Sequence, residues 1–344
     1  MTTVVSGIFI YMITPQPITI KRKKQFLMYA FEEAERMRSS GRIGTSKNYM
    51  NSIRQLQKYL LTMSKKDVSF RRFSQKLLKD FEDWLRQHGV TRNTSASYLR
   101  CLHTIWNRAV AYGLATGNPF TGTYRGVART RKRAIPMTDI RRIAEFDIRE
   151  ALKVKFTEEG RKTGGRRFDK QANRLLLVRD LFVFSFCARG IPFVDMAYLR
   201  KSDVRNGSFT YCRHKTGQKL TVQIAPQMQS ILDRHPSSTI YLLPILDGGG
   251  DAQHTYQSYM SALVRYDKSL RQLGDMLGLP LTSYVSRHSW ASTAQQQHMP
   301  MPYISQGLGH DSQRTTEIYL KEIDSAQIDQ ANRSLLNAVF GTVE

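Results

Sequence analysis

The sequence predicts a mainly α-helical protein of two domains, with a small antiparallel β-sheet in the second. Three observations carry that prediction. Apolar residues recur at helical spacing from Lys21 to about Phe120. Glycines, basic residues and Pro136 then break the pattern over 122–136. Farther on, one pair of segments alternates with period two around Thr216-Gly217. A chain of 344 residues is long enough to bury two separate cores.

The elements follow in order. Phe26-Leu27, Ala30-Phe31 and Ala34 form the first apolar stripe. Tyr49, Ile53, Leu56 and Leu60 form the second. Phe73, Leu77-Leu78, Phe81 and Leu85 form the third, which Gly89 ends. Thr91 opens a fourth helix, with Tyr98, Leu102, Ile105, Trp106 and Ala109 on its apolar face and Gly117-Asn118-Pro119 as its stop. The first domain is therefore a bundle of about four helices. Residues 123–137 read as a basic linker containing Arg129 and Arg131-Lys132-Arg133. The second domain opens near Thr138, placed as an N-cap before Ile140 and Ile143. Leu175–Phe186 is a strongly apolar helix, and 208–213 with 219–224 make a β-hairpin. Met299-Pro-Met-Pro302 reads as a turn. Helices resume to the end.

Charge narrows the function. The chain carries 52 Lys and Arg against 28 Asp and Glu, a net charge of +24. Such an excess points to a polyanionic partner, because each phosphate contact releases condensed counterions. Residues 1–133 hold 25 of the basic residues and 7 of the acidic ones. The first domain is thus the electrostatic clamp, and the nearly balanced second domain is the better candidate for an enzyme. Cys101, Cys187 and Cys212 are too few and scattered for a disulfide framework or a zinc site, which fits reduced thiols in the cytoplasm. No stretch is long enough to span a membrane. The apolar start, 4–14, lacks the basic n-region of a signal peptide, so residues 1–20 read as an N-terminal extension.

The chemistry-bearing residues stand in the second domain. Leu308-Gly309-His310 is followed nine residues later by Tyr319. Upstream stand Tyr284-Val-Ser-Arg287-His288-Ser-Trp290-Ala, then Arg213-His214-Lys215-Thr-Gly on the hairpin, then Ala188-Arg189-Gly190-Ile-Pro-Phe-Val-Asp195. Taken singly each is ordinary: Tyr319 as a half-buried tyrosine, His310 as a helix cap, Arg287 as half of an ion pair, Lys215 as a turn lysine. In this order and spacing they resemble the tyrosine recombinase (phage integrase) family, over almost the whole chain. The details are similar to the branch found on mobile elements and invertible loci of Bacteroides-type bacteria.

The resemblance implies a helical, SAM-like core-DNA-binding domain over 21–122 and a mixed α/β recombinase catalytic domain over 138–344. It implies a DNA strand transferase with type IB topoisomerase-like chemistry, without metal or other cofactor. Tyr319 would attack a phosphodiester and form a 3′-phosphotyrosine. Arg287 would clamp the pentacoordinate phosphorus, where a planar guanidinium suits two oxygens. His310 would donate to the phosphate or take the tyrosine proton. Lys215 would protonate the departing 5′ oxygen. Arg92 and Arg100 on the fourth helix, with Arg129, Arg131, Lys132 and Arg133, are the expected DNA contacts.

Two positions depart from the family pattern. Tyr284 stands where a histidine precedes the arginine by three residues; its hydroxyl still donates a hydrogen bond. Pro192 stands where the first arginine is usual, so that clamp falls to Arg189 or Arg213. Asp195 either orients an arginine or caps a helix. The tail, 325–344, carries Ile328, Ala331, Leu335, Leu336 and Val339 at helical spacing and is expected to dock on a neighbouring protomer. The implied partner is double-stranded DNA, bound by a homotetramer on two sites, with accessory DNA-bending proteins admitted. The rival readings are a monomeric topoisomerase, an RNA-binding helical protein and a catalytically silent DNA-binding regulator; the Tyr319 box weighs against the last two.

Overall fold

The computed structural model describes residues 25–128 and 134–310. The chain divides into two compact units between Arg129 and Thr130. Tyr319, the tail, residues 1–20 and the linker residues Arg129, Arg131, Lys132 and Arg133 lie outside the described residues.

The first unit is helical. Its elements are α1 (Phe26–Ser39), α2 (Ile43–Thr62), a short 3-10 turn (Phe70–Arg72), α3 (Gln75–Gln87) and α4 (Arg92–Ala111). The anticipated apolar stripes fall on the buried faces of successive helices, except that Phe73 of the third lies before α3: Ile53, Leu56 and Leu60 are fully buried on α2, Leu78 and Phe81 on α3, and Leu102 and Ile105 on α4. Ser74 and Thr91 cap α3 and α4 by accepting from the backbone N–H groups of Leu77 and Thr94. Phe26, Phe73 and Trp106 pack together beneath them, with Phe73 and Trp106 stacked at 5.1 Å. Three aromatics at one point give a small bundle much of its buried area.

The second unit is built around one long helix. After α5 (Met137–Glu145) and α6 (Ile148–Glu158), α7 (Arg166–Cys187) packs against α5, α6 and the later elements. Then come α8 (Phe193–Tyr198), a 3-10 turn (Lys201–Asp203), strands β1 (Val204–Arg205), β2 (Ser208–Cys212) and β3 (Lys219–Gln223), and helices α9 (Pro226–Arg234), α10 (Ala252–Leu277), α11 (Val285–Gln296) and α12 (Met301–Leu308). The strands form one antiparallel sheet in the order β1-β2-β3. Phe209 pairs with Val222 and Tyr211 with Leu220, so all four side chains meet the core from one face. Among the described residues, no helix is long and apolar enough to cross a membrane.

Two local expectations need correction, and one element was missed. Thr138 is not an N-cap: α5 begins one residue earlier, with Pro136 at the cap position in extended backbone. Proline closes the entry there through its fixed φ, without a side-chain acceptor. The stretch Met299-Pro-Met-Pro302 is not simply a turn, because Met301 and Pro302 already belong to the first turn of α12, where a missing N–H costs nothing. The two-residue β1 was not anticipated, being too short for any alternation to show.

Candidate active site

Arg287 is the largest fully buried side chain among the described residues, with 1% of its surface exposed. It sits one turn into α11, whose register is fixed by buried serines. Ser185 on α7 and Ser286 share a hydrogen bond of 2.8 Å, and the Ser289 hydroxyl accepts from the backbone N–H of Ile135. With neighbours so close, the guanidinium has one direction open to it. One amino group donates to the carbonyl of Gly190 at 2.9 Å; the other donates to the carbonyl of Leu308 and, at 3.1 Å, to Nε2 of His310.

Gly190 makes that approach feasible. Its φ is +69°, and a Cβ there would stand 2.6 Å from the Arg287 Cα. Glycine is the only residue that fits both demands. Gly309 does the same for a second arginine: at φ +65°, a Cβ would come 2.7 Å from Cδ of Arg213.

Arg213 is 4% exposed and begins the turn of the β2–β3 hairpin, where its backbone N–H donates to Gln218. Its guanidinium donates to the carbonyls of Leu308 (2.8 Å) and Gly309 (2.9 Å). Its Nε stands 3.7 Å from the buried carboxylate of Asp195 on α8. Asp195 also accepts from the backbone N–H of His214 at 2.9 Å. Asp195 thus orients an arginine, the first of the two roles its position allowed, and it holds the foot of the hairpin as well.

His310 follows the left-handed Gly309 that ends α12. Burial, and then the positive charges of Arg287, Arg213 and Lys215, push its pKa down to about 4. Arginine has no acceptor, so the Nε2 facing Arg287 carries no proton. The imidazole is therefore neutral near pH 7, with Nε2 a lone-pair acceptor. Lys215, two residues along the hairpin turn from Arg213, is exposed to solvent.

The structure therefore gathers Arg287, Arg213, His310 and Lys215 around the C-terminal end of α12. Tyr284 immediately precedes α11, 44% exposed, with its ring 6.2 Å from that of His288. Arg189 lies beside the same last turn of α12, where a Cβ at Gly307 would meet its Cδ at 3.6 Å. It holds a left-handed φ of +60°, rare for a non-glycine residue, and lines a separate cavity of about 400 Å³ with Lys219, Trp290, Tyr303 and Gln306. In the first unit, the Arg92 guanidinium lies 3.9 Å from the centre of the Tyr124 ring, and Arg100 donates to the carbonyls of Arg125 and Gly126. What the sequence did not single out is the role of Leu308 as a shared acceptor, since a backbone carbonyl leaves no mark in residue identity.

Residues 25–126 match the phage integrase SAM-like domain. Among solved structures, the chain is similar to a lambda integrase dimer bound to a COC′ core site, with a TM-score of 0.61 at 14% identity over 88% of this chain and 99% of that one. It is similar to a lambda integrase tetramer bound to a Holliday junction, with a TM-score of 0.58 at 14% identity over 88% and 80%. The Tn1549 transposon integrase in complex with transposon right end DNA gives 0.58 at 12% identity over 91% and 99%. No curated protein matches the chain. A helical SAM-like unit followed by a helical unit with one small antiparallel sheet is the tyrosine recombinase fold, and this chain has it.

Proposed function

We propose that this protein is a site-specific DNA recombinase that cuts and rejoins duplex DNA through a covalent bond to Tyr319. The observation that carries the reading is the convergence of two buried arginines and a neutral histidine at the end of α12, nine residues before Tyr319. Three cations against one carboxylate make a site that attracts a phosphate.

In this reading Arg213 and Arg287 hold the non-bridging oxygens of the scissile phosphate. Arg213 takes the place of the usual first arginine, which favours it over Arg189. The Tyr319 oxygen attacks phosphorus, forming one P–O bond as the bond to the 5′ oxygen breaks. His310, whose Nε2 is an acceptor in the free protein, takes the phenol proton. The Lys215 ammonium gives a proton to the departing 5′ oxygen. Tyr284 adds a hydroxyl donor at the rim. The phosphotyrosine keeps the bond energy, so the reverse attack rejoins the strand without a nucleotide cofactor. Arg129, Arg131, Lys132 and Arg133 contact the backbone of double-stranded DNA between the units. The tail after residue 325 joins four protomers on two sites, in a cytoplasmic enzyme of the mobile-element or invertase branch performing integration, excision or inversion.

The test uses nicked duplexes tiled across the DNA flanking the gene, incubated without metal with wild type and Tyr319→Phe. A denaturant-resistant protein–DNA band with wild type alone supports the reading. Sequence-specific binding with no band from either protein refutes it in favour of a silent regulator.

A further inference from the structure

The first residues of the basic stretch between the units are fastened to α4. Asn93 pairs with the backbone of Ala128 in both directions: its amide donates to the carbonyl at 3.0 Å, and its oxygen accepts from the N–H at 2.7 Å. Two turns along, Arg100 donates to the carbonyls of Arg125 and Gly126, both at 2.8 Å. One turn farther, the His103 ring accepts from the Arg125 guanidinium, with Nδ1 at 2.6 Å. At the start of the helix Arg92 covers the Tyr124 ring. Gly126 keeps that ring in place, since a Cβ there would approach it to 3.0 Å. Positions 93, 100 and 103 share one helix face. The segment they hold has little apolar side chain to bury, and Val127 is 76% exposed. Burial therefore does not explain its order; these polar contacts do.

We infer that Asn93, Arg100 and His103 form a cleat that binds residues 124–128 to the helical unit, so that this unit extends through Ala128. Five residues fastened this way take up to about 18 Å of chain out of the connection between the units. They also fix the position of Ala128, the residue before the run 129–133. Arg100 and Arg92 then act as positioning residues that spend their cations on the chain itself, rather than as contacts to DNA phosphate. A shorter connection raises the effective concentration of one unit near the other once either is on DNA.

Limited trypsin digestion of the full chain tests this, read as the mass of the N-terminal fragment. Wild type is expected to be cut at Arg129 or within 131–133, with the Arg125–Gly126 bond surviving. Asn93→Ala, and Tyr124→Ala outside the helices, are expected to expose Arg125 about tenfold, with melting temperatures near that of wild type. Cutting of wild type at Arg125 as fast as at the later sites overturns the inference, as does unchanged protection in both variants. A second arm rests on the proposed strand exchange. Asn93→Ala, which removes no charge, should slow covalent adduct formation on saturating nicked DNA several-fold. If Arg100→Ala leaves Arg125 protected but lowers the salt dependence of DNA binding by about one unit, Arg100 is a phosphate contact and the cleat is refuted. Failure of wild type to form any adduct removes the function proposed above and leaves the digestion to decide the cleat alone.

Discussion

Arg213 and Arg287 donate to the same oxygen, the carbonyl of Leu308, although one comes from the β2–β3 hairpin and the other from α11. Two like charges on one acceptor is a costly arrangement in a buried place. It holds because that carbonyl belongs to the last turn of α12, where the helix leaves carbonyls without partners and its dipole is negative. Asp195 offsets part of the remaining repulsion.

The shared acceptor ties the two side chains into one unit. Arg213→Ala and Arg287→Ala are each expected to lower covalent adduct formation on nicked DNA by at least about 10²-fold. The double variant should lose much less than the product of the two. Arg189→Ala should stay within about threefold of wild type. A large loss from Arg189→Ala with little from Arg213→Ala would transfer the first clamp back to Arg189.

The depressed pKa of His310 has a sign that can be checked twice. With a folded value near 4 and an ordinary value near 6.5, the unfolded chain binds more proton between them. His310 therefore lowers the stability of the free protein as pH falls from about 6.5 toward 4. A bound phosphate reverses the local field and raises the pKa, so DNA binding near pH 5.5 should take up a fraction of a proton. Calorimetry in buffers of different ionisation enthalpy measures that uptake, and His310→Gln should abolish it.

The excess of cation at this site is expected to bind small anions. Sulfate or phosphate at 100 times its dissociation constant would stabilise the protein by about 2.7 kcal/mol. Thermal unfolding in sulfate should exceed that in chloride at equal ionic strength, and Lys215→Gln should reduce the difference without changing the fold, since Lys215 is exposed.

Gly190→Ala tests the cradle under Arg287. Left-handed backbone costs an alanine roughly 1–2 kcal/mol, and a methyl 2.6 Å from the Arg287 Cα forces the segment that follows α7 away from α11. Destabilisation of about 3 kcal/mol or more is expected in denaturant titration. Gly249→Ala, where a methyl meets nothing, serves as the control and should be nearly neutral.

Much of this was legible beforehand because the physics is local. The stripes at Ile53, Leu78 and Leu102 needed only helical periodicity, and the hairpin needed only alternation about Thr216-Gly217. The choice between Arg189 and Arg213 was not legible. Both arginines meet the last turn of α12, Arg213 through the carbonyls of Leu308 and Gly309 and Arg189 beside Gly307, and residue spacing says nothing of that. The cleat was invisible for a similar reason. Tyr124–Ala128 has the composition of a solvated linker, and its order comes from side chains more than twenty residues upstream.

The capping of α12 by Arg213 and Arg287 has a consequence for inheritance. Both arginines hold the architecture together whether or not a strand is ever cut. If the proposed function holds, a descendant that discarded Tyr319 would still gain from that capping and would carry the old cluster forward as masonry.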